Sequence, residues 1–430
     1  MLPFKKINLI SLGCSKNTVD AEYIFGTLEK FPIELHFDAS SEGMDLVIIN
    51  TCGFIQDAKE ESIELILQHA IAKKQGRIGK LMVMGCLSQR YASELKNEIP
   101  EIDYIFGVHD YDAIIQLLTQ KLAAKKTRFI STPSHYAYLK IAEGCNRKCS
   151  FCAIPAIRGK LISQPISVLS KEAEQLAAKG VKELNIIAQD ICTYGTDLKS
   201  NNNLFNLVRE LDQLALFPWI RLLYAYPIGF PVELLHYMAE SKSMCNYIDM
   251  PFQHINDGML KAMKRGHNTS QTKNIIKQIR EILPDASLRT TLLVGFPGET
   301  DAAFEELLEF VEESRFDRMG AFTYSHEEGT TAFALKDNVP EDVKQERLER
   351  LMQLQQQISW EKNQKKIGKK MQVIIDRKEE DYWIGRSEFD AAEVDNEIII
   401  SADKELQIGS FYMAKITDAV EFDLFAKADV

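Results

Sequence analysis

The stretch Glu143-Gly-Cys-Asn-Arg-Lys-Cys-Ser-Phe-Cys152 sets Cys145, Cys149 and Cys152 at C-x3-C-x2-C spacing, directly after an apolar run. Three thiolates this close in sequence can hold three irons of a four-iron cluster and leave the fourth iron without a protein ligand. An open metal position is where a small molecule can bind and react. A structural zinc loop is the competing reading, but such sites are closed by four ligands, usually as two short-spaced pairs. No fourth Cys or His follows Cys152 at a zinc-ribbon distance.

The rest of the chain fits a large enzyme. Its 430 residues, 45% of them apolar, can bury several cores, and the length points to more than one domain. No stretch is long and apolar enough to span a bilayer, and the N-terminus lacks the basic region and apolar core of a signal peptide. The expected location is the cytoplasm. There the eight cysteines are metal ligands or buried thiols rather than disulfides.

Residues 1–125 read as alternating strands and helices. Apolar runs at Ile7 to Leu12, Asp45 to Asn50 and Lys80 to Met84 predict strands, and Asp57 to Ala72 predicts a helix with Ile63, Ile66, Leu67 and Ala70 on its apolar face. That alternation implies an α/β domain with a doubly wound parallel sheet. Cys14, Cys52 and Cys86 each follow a strand end, so the shared carboxyl edge of the sheet should bring them together as the ligands of a second cluster. The alternative is three buried thiols, each packed as a small hydrophobe.

Residues 126–137 read as a linker, and 138–370 alternate strand and helix again, ending in a long helix opened by Pro340. Lysines 362, 365, 366, 369 and 370 crowd the end of that helix, where they suit its negative pole. Residues 371–430 hold five short strands and predict a small antiparallel barrel. This last segment has six Lys/Arg against fifteen Asp/Glu, a net of −9, out of −11 for the whole chain.

The triad, with Phe151 before its last cysteine, resembles the signature of the radical S-adenosylmethionine (SAM) superfamily. That resemblance implies a partial (β/α)6 barrel with its cluster loop after the first strand, at the carboxyl face where such barrels carry their sites. Ser11-Leu-Gly-Cys-Ser-Lys-Asn17, Asn50-Thr-Cys-Gly-Phe54, Gly85-Cys-Leu-Ser-Gln-Arg90 and Val294-Gly-Phe-Pro-Gly-Glu-Thr300 extend it to the methylthiotransferases over essentially the whole chain. The terminal barrel is similar to the TRAM domain.

Two branches of that family differ in acceptor. One modifies an adenosine beside the tRNA anticodon, the other an aspartate of ribosomal protein uS12. Ala153-Ile-Pro-Ala-Ile-Arg158, Arg221-Leu-Leu-Tyr-Ala-Tyr-Pro227, Pro251-Phe-Gln-His-Ile255 and Tyr324-Ser-His-Glu-Glu-Gly329 resemble the ribosomal-protein branch. Glu327 and Glu328 stand where the tRNA branch typically has Arg-Pro, and two carboxylates near a site would repel a phosphate backbone. The acidic terminal barrel likewise opposes nucleic-acid binding and would attract a basic protein such as uS12. Glu393, Asp395 and Glu397 are expected on a turn and strand edge of that docking surface; solubility is the plainer role for the charge.

The resemblance implies two 4Fe-4S clusters and SAM as cofactors. Cys145, Cys149 and Cys152 would hold the SAM-binding cluster, which cleaves SAM to methionine and a 5′-deoxyadenosyl radical that takes a hydrogen from the aspartate β-carbon. Cys14, Cys52 and Cys86 would hold the cluster that supplies the methylthio group. An external one-electron reductant such as flavodoxin or ferredoxin and a monomeric enzyme complete the expectation. Phe151, Gln189, Asp190, Gly295, Gly298 and Glu299 are candidates for the SAM pocket; core packing, a polar helix cap and a tight turn are their structural alternatives. Cys192 and Cys245 fit no ligand spacing, and His254 and His326 enter only through the family match. A tRNA adenosine methylthiotransferase and a non-catalytic iron-sulfur ribosome-binding factor remain as alternatives.

Overall fold

A computed structural model describes residues 2–121, 127–199 and 202–429. Strands Lys6–Ser11 (β1), Glu34–Phe37 (β2), Leu46–Thr51 (β3), Lys80–Gly85 (β4) and Tyr104–Ile105 (β5) form one parallel sheet in the order β2-β1-β3-β4-β5. Along β3 and β4, Leu46, Ile48, Met82 and Met84 face one core and Val47, Ile49, Leu81 and Val83 the other. A strand buried on both faces must be apolar throughout, which is why these runs do not alternate with polar residues.

Helices Ser15–Leu28 (α1), Gln56–Lys74 (α2), Cys86–Glu98 (α3) and Tyr111–Thr119 (α4) cover the two faces. Ile24 and Phe25 of α1 join Ile114 of α4 in the first core, and Ile66 of α2 joins Leu87 of α3 in the second. The sheet is therefore doubly wound, as expected. The face of α2 is not the expected one. Ser62 bonds both the N–H and the C=O of Cys52, at 3.0 and 2.9 Å, and this turns Ser62, Ile66 and Ala70 to the sheet while Ile63 and Leu67 stay exposed.

The expected linker is anchored where it is described; its first residue, 126, lies outside the described residues. Arg128 is buried between Glu22 of α1 and Glu172, Phe129 packs edge-on against Phe25, and the next strand already starts at Tyr136. A buried guanidinium needs carboxylates on both sides, and it finds one in each flanking segment.

Six parallel strands follow: Tyr136–Lys140 (β6), then, after a ribbon of Ala142–Glu143 (β7) and Ile162–Ser163 (β8), Glu183–Ile187 (β9), Trp219–Leu222 (β10), Tyr247–Asp249 (β11), Ser287–Val294 (β12) and Arg318–Thr323 (β13). They pair as β10-β9-β6 and β11-β12-β13, and a parallel bridge between Ile220 and Met244 links the two sets. The result is the partial barrel, its helices packed outside around Leu169, Leu207, Leu234, Ile279 and Leu307. The helix Glu341–Gln364 closes over the last strands with Leu351 and Ile358 buried.

Lys370–Glu379 (β14), Tyr382–Ser387 (β15), Ile398–Ser401 (β16), Phe411–Ala419 (β17) and Leu424–Asp429 (β18) close into the small barrel, with four antiparallel pairings and one parallel, β16 with β18. Its β15–β16 connection plugs the amino-terminal floor of the six-stranded barrel. Arg221 on β10 bonds Glu183 at 2.8 Å and the Glu388 carbonyl at 2.7 Å, and Arg386 of β15 reaches Glu183 at 2.8 Å.

That plug corrects the expectation for two of the three acidic residues. Glu393 accepts from the hydroxyls of Tyr136 and Tyr138 at 2.7 and 3.0 Å, and Asp395 from Tyr247 at 2.6 Å. Glu397 is held by Arg377 at 2.6 and 2.9 Å. The buried tyrosine hydroxyls at the floor need acceptors, and Glu393 and Asp395 provide them instead of forming a free docking surface, whereas the Glu397–Arg377 pair stays at the surface. Glu380, Asp381 and Asp403 are among the exposed acids of this barrel.

Candidate active site

Gly144, with φ +71°, turns the chain from β7 into the cysteine loop; a Cβ there would meet the backbone of Gly159 and Lys160. The loop is then pinned at several points. The N–H of Cys145 bonds the Gly159 carbonyl at 3.1 Å, Leu161 N–H bonds Asn146 at 3.1 Å, and Ser150 bonds the carbonyls of Met263 and Ala262 at 2.9 and 2.8 Å. Within the loop the N–H of Cys152 bonds the Cys149 carbonyl at 3.2 Å, which folds the three cysteines back on one another.

Donors point at those sulfurs. Arg265 places a guanidinium N–H 3.3 Å from Sγ of Cys149, and the N–H of Arg147 lies 3.4 Å from Sγ of Cys145. Tyr226 is clasped between the two arginines, whose guanidinium carbons stand 4.0 and 4.2 Å from its ring centroid. Its hydroxyl bonds the Arg265 carbonyl at 2.5 Å and lies 3.8 Å from Sγ of Cys149.

Cys14 caps α1, Cys52 follows β3 immediately, and Cys86 follows β4 and opens α3. Because β1, β3 and β4 are neighbours, the three thiols meet at the carboxyl edge of the sheet, next to the point where its strand order reverses. The approach is close: a Cβ on Gly13, which has φ +88°, would stand 2.8 Å from Cβ of Cys52. Burial pushes the Cys86 thiol up to about 12 and raises Cys52. Cys14 is an exposed residue; the desolvation its thiol meets opposes ionisation, but Lys16, Arg158 and the N–H groups of Asn17 and Lys16 outweigh it and lower this thiol.

The chemistry of both donor sets fits iron-sulfur clusters better than single ions. Among the described residues no three Cys, His, Asp or Glu side chains converge on one metal ion. A zinc site would need all its sulfurs at about 2.3 Å from one point, whereas a cubane spreads its ligands over separate irons. Burial also pushes Cys152 up to about 12. A thiol so disfavoured as an anion becomes a thiolate when a metal supplies the charge.

The two triads lie on either side of one seam. Arg158, on the short helix Ile154–Arg158 (α5) behind the first triad, is 1% exposed and bonds Asn17 beside the second. Its other nitrogen reaches Asp20 at 3.0 Å and Glu143 at 2.9 Å. Asn17 in turn accepts from the Cys86 thiol at 3.6 Å. Farther along, Glu327 is buried in ion pairs with Lys59 and Arg90. It is therefore an internal clamp rather than an exposed repulsive carboxylate, and only Glu328 faces solvent.

The other candidates fall in different places. Phe151 packs against the cluster of Met263, Leu293, Phe296 and Tyr324. Gln189 bonds Glu143 at 3.1 Å, and its buried Oε1 has no partner among the described residues. Asp190 is occupied by Arg147 at 2.7 Å and caps a turn through the Cys192 N–H at 2.9 Å. Glu299 holds the Gly295 N–H and faces Arg347 and His254, each at 3.5 Å; it braces the Gly295 turn from behind. Gly298 takes φ +87° in the same turn. His254 accepts the N–H groups of Ile255 and Asn256, whereas His326 is exposed and stacks on Phe333. Cys192 pairs with the backbone of Tyr226 and Cys245 is buried. Arg158, Tyr226 and Arg265 were not legible as site residues, since each acts on a cysteine or domain remote in sequence, and Arg147, though two residues from Cys145, is fixed by the distant Asp190 and Tyr226.

Comparison with known proteins follows the three parts of the chain. Residues 139–311 match the radical SAM superfamily, 6–107 the uncharacterized protein family UPF0004, and 367–428 the TRAM domain. The ribosomal protein uS12 methylthiotransferase RimO of Cytophaga hutchinsonii is 49% identical over 98% of this chain and 97% of its own. The protein of the same name from Bacteroides thetaiotaomicron is 48% identical over 98% of each chain. Among solved structures, the radical SAM methyltransferase TsrM of Kitasatospora setae superposes with a TM-score of 0.55 at 13% identity, over 74% of this chain and 72% of that one. OxsB, a cobalamin-dependent SAM radical enzyme, gives 0.53 at 13% identity over 81% and 56%. At such identities these two share only the fold. With near-half identity along its whole length, the chain belongs to the RimO family of ribosomal protein uS12 methylthiotransferases.

Proposed function

We infer that this protein is a radical SAM methylthiotransferase that replaces a hydrogen on the β-carbon of a uS12 aspartate with a methylthio group. The observation that carries it is the pairing of two cysteine triads across one seam, joined by Arg158. Residues 1–125 carry the auxiliary triad Cys14, Cys52 and Cys86, residues 138–370 carry Cys145, Cys149 and Cys152, and 371–430 form the terminal barrel. When bound, two 4Fe-4S clusters and SAM supply radical hydrogen abstraction and the methylthio group.

The protein's own task is positioning. Arg147 and Arg265 direct N–H groups at the first triad and stack on Tyr226, which fixes the loop and stabilises charge on its sulfurs. Asp190 holds Arg147 in place. Gln189 leaves a buried oxygen free at the carboxyl end of β9, suited to a polar group of SAM, and Phe151 and the Gly295 turn shape the adjoining wall. The Arg158, Asp20, Lys140 and Glu143 network locks the two halves together, so that one acceptor carbon can face both centres.

Each cleavage needs one electron, for which a small flavodoxin- or ferredoxin-type protein is the expected donor to a monomeric enzyme. Mass spectrometry of uS12 and of tRNA nucleosides from a deletion strain tests the acceptor. Loss of the methylthio mass from uS12, with tRNA unchanged, is expected. Loss from the nucleosides alone would replace this acceptor with adenosine.

A further inference from the structure

Lys16 is 7% exposed, yet its ammonium has no hydrogen bond or ion pair among the described residues. It lies over the ring of Tyr224, Nζ 3.0 Å from the centroid. An ammonium at a largely buried residue with no anion beside it is under-compensated, and a single aromatic face supplies only part of what an anion would. The surrounding backbone adds to the field: α1 starts here with no capping side chain and no acidic residue in its first turn.

The support beneath Lys16 is specific. Tyr224, two residues past the end of β10, takes a left-handed conformation, φ +65°, held there by its N–H to Asp249 at 2.9 Å; its hydroxyl lies 3.5 Å from Ser15 Oγ. The N-terminal domain thus inserts Ser15 and Lys16 into the carboxyl mouth of the barrel. The neighbouring charges are already balanced among themselves. Arg158 and Lys140 share Asp20 and Glu143, which leaves Lys16 as the surplus cation beside Cys14.

We propose that Lys16 binds the carboxylate of the acceptor aspartate and selects a carboxylate-bearing acceptor. This rests on the uS12 assignment. The reacting β-carbon is bonded directly to that carboxylate carbon, and the methylthio group must reach it from the centre that Cys14 helps to hold. An ammonium two residues from Cys14, at the barrel mouth, is where the carboxylate of such a substrate would lie. An adenosine offers no anion there.

The test uses anaerobically reconstituted full-length enzyme, with uS12 and uS12 carrying Asp→Asn at the acceptor as probes, binding read by fluorescence anisotropy. A charge-assisted contact predicts that the wild-type enzyme prefers the aspartate form by about tenfold. Lys16→Met, which keeps the apolar stem over Tyr224, should bind both forms equally, and Lys16→Arg should restore part of the preference. Iron content should be the same in all three. A Lys16→Met enzyme that keeps the preference would overturn the proposal, as would one that loses the auxiliary iron, because Lys16 would then serve the cluster. A wild-type enzyme that binds neither form, but binds a tRNA anticodon stem-loop, would instead remove the uS12 assignment and this proposal with it.

Discussion

Glu327 and Lys59 meet across the seam between the barrel and the N-terminal sheet, Oε2 2.9 Å from Nζ, with 4% and 15% of their side chains exposed. Arg90 reaches the same oxygen at 3.2 Å and ties back to the Gly53 carbonyl at 2.8 Å, one residue after Cys52. The clamp therefore fixes the auxiliary triad against the barrel.

Glu327→Gln should loosen that register without touching the first triad. Breaking one partner of a buried pair costs about 3–5 kcal/mol locally. The expected result is continued SAM cleavage with more 5′-deoxyadenosine formed per methylthiolated uS12. An unchanged ratio would mean that the clamp does not set the distance between the two centres.

Arg265 should tune the first cluster through its N–H to Cys149. Hydrogen bonds to ligating sulfurs stabilise the reduced state, so Arg265→Met should lower the reduction potential of that cluster and leave the auxiliary one unaltered. A redox titration followed by electron paramagnetic resonance reads both. Equal shifts in the two signals would assign Arg265 a general structural role.

The terminal barrel is docked by Arg318 and Asp390, both buried. Burial opposes ionisation of Asp390, yet Arg318 and Lys366 hold its carboxyl below the usual range. A carboxyl depressed in the folded state stabilises fully above its unfolded pKa of about 3.9, and this is lost as pH falls through the folded value. Docking should therefore be insensitive to pH between about 5 and 7 and weaken below about 4. Asp390→Asn should be less stable at neutral pH by about 3–5 kcal/mol and lose much of that acid response. Thermal unfolding across pH checks both.

Glu380, Asp381 and Asp403 are among the exposed acids through which the terminal barrel can attract a basic protein. Such attraction is screened within about 10 Å at 0.1 M salt, so uS12 association should slow as salt rises, and charge reversal at all three should slow it further at low salt. Association rates unaffected by either change would leave solubility as the role of this charge.

The strands and helices were readable because each leaves a local trace: β3 and β4 are apolar runs, β1 is one interrupted only by Asn8, and Cys14, Cys52 and Cys86 follow these strands at equivalent places. What escaped was contact between distant segments. Glu393 and Asp395 read as surface charges because nothing near them in sequence reveals Tyr136, Tyr138 and Tyr247. Glu327 looked like a substrate-repelling group for the same reason, since its partners lie in another domain. Ile63 and Leu67 misled differently: helical spacing marks a stripe, but the Ser62 bonds to Cys52 rotate it from the sheet.

The division of labour between the two triads is the central claim, and iron content measured together with SAM cleavage tests it most directly. After anaerobic reconstitution the wild-type protein should hold about eight irons, and a variant with Cys14, Cys52 and Cys86 all changed to Ala about four. That variant should still form 5′-deoxyadenosine under reduction and should no longer transfer a methylthio group to uS12. Unaltered iron content, or loss of SAM cleavage in a variant that remains folded by circular dichroism, would contradict the account.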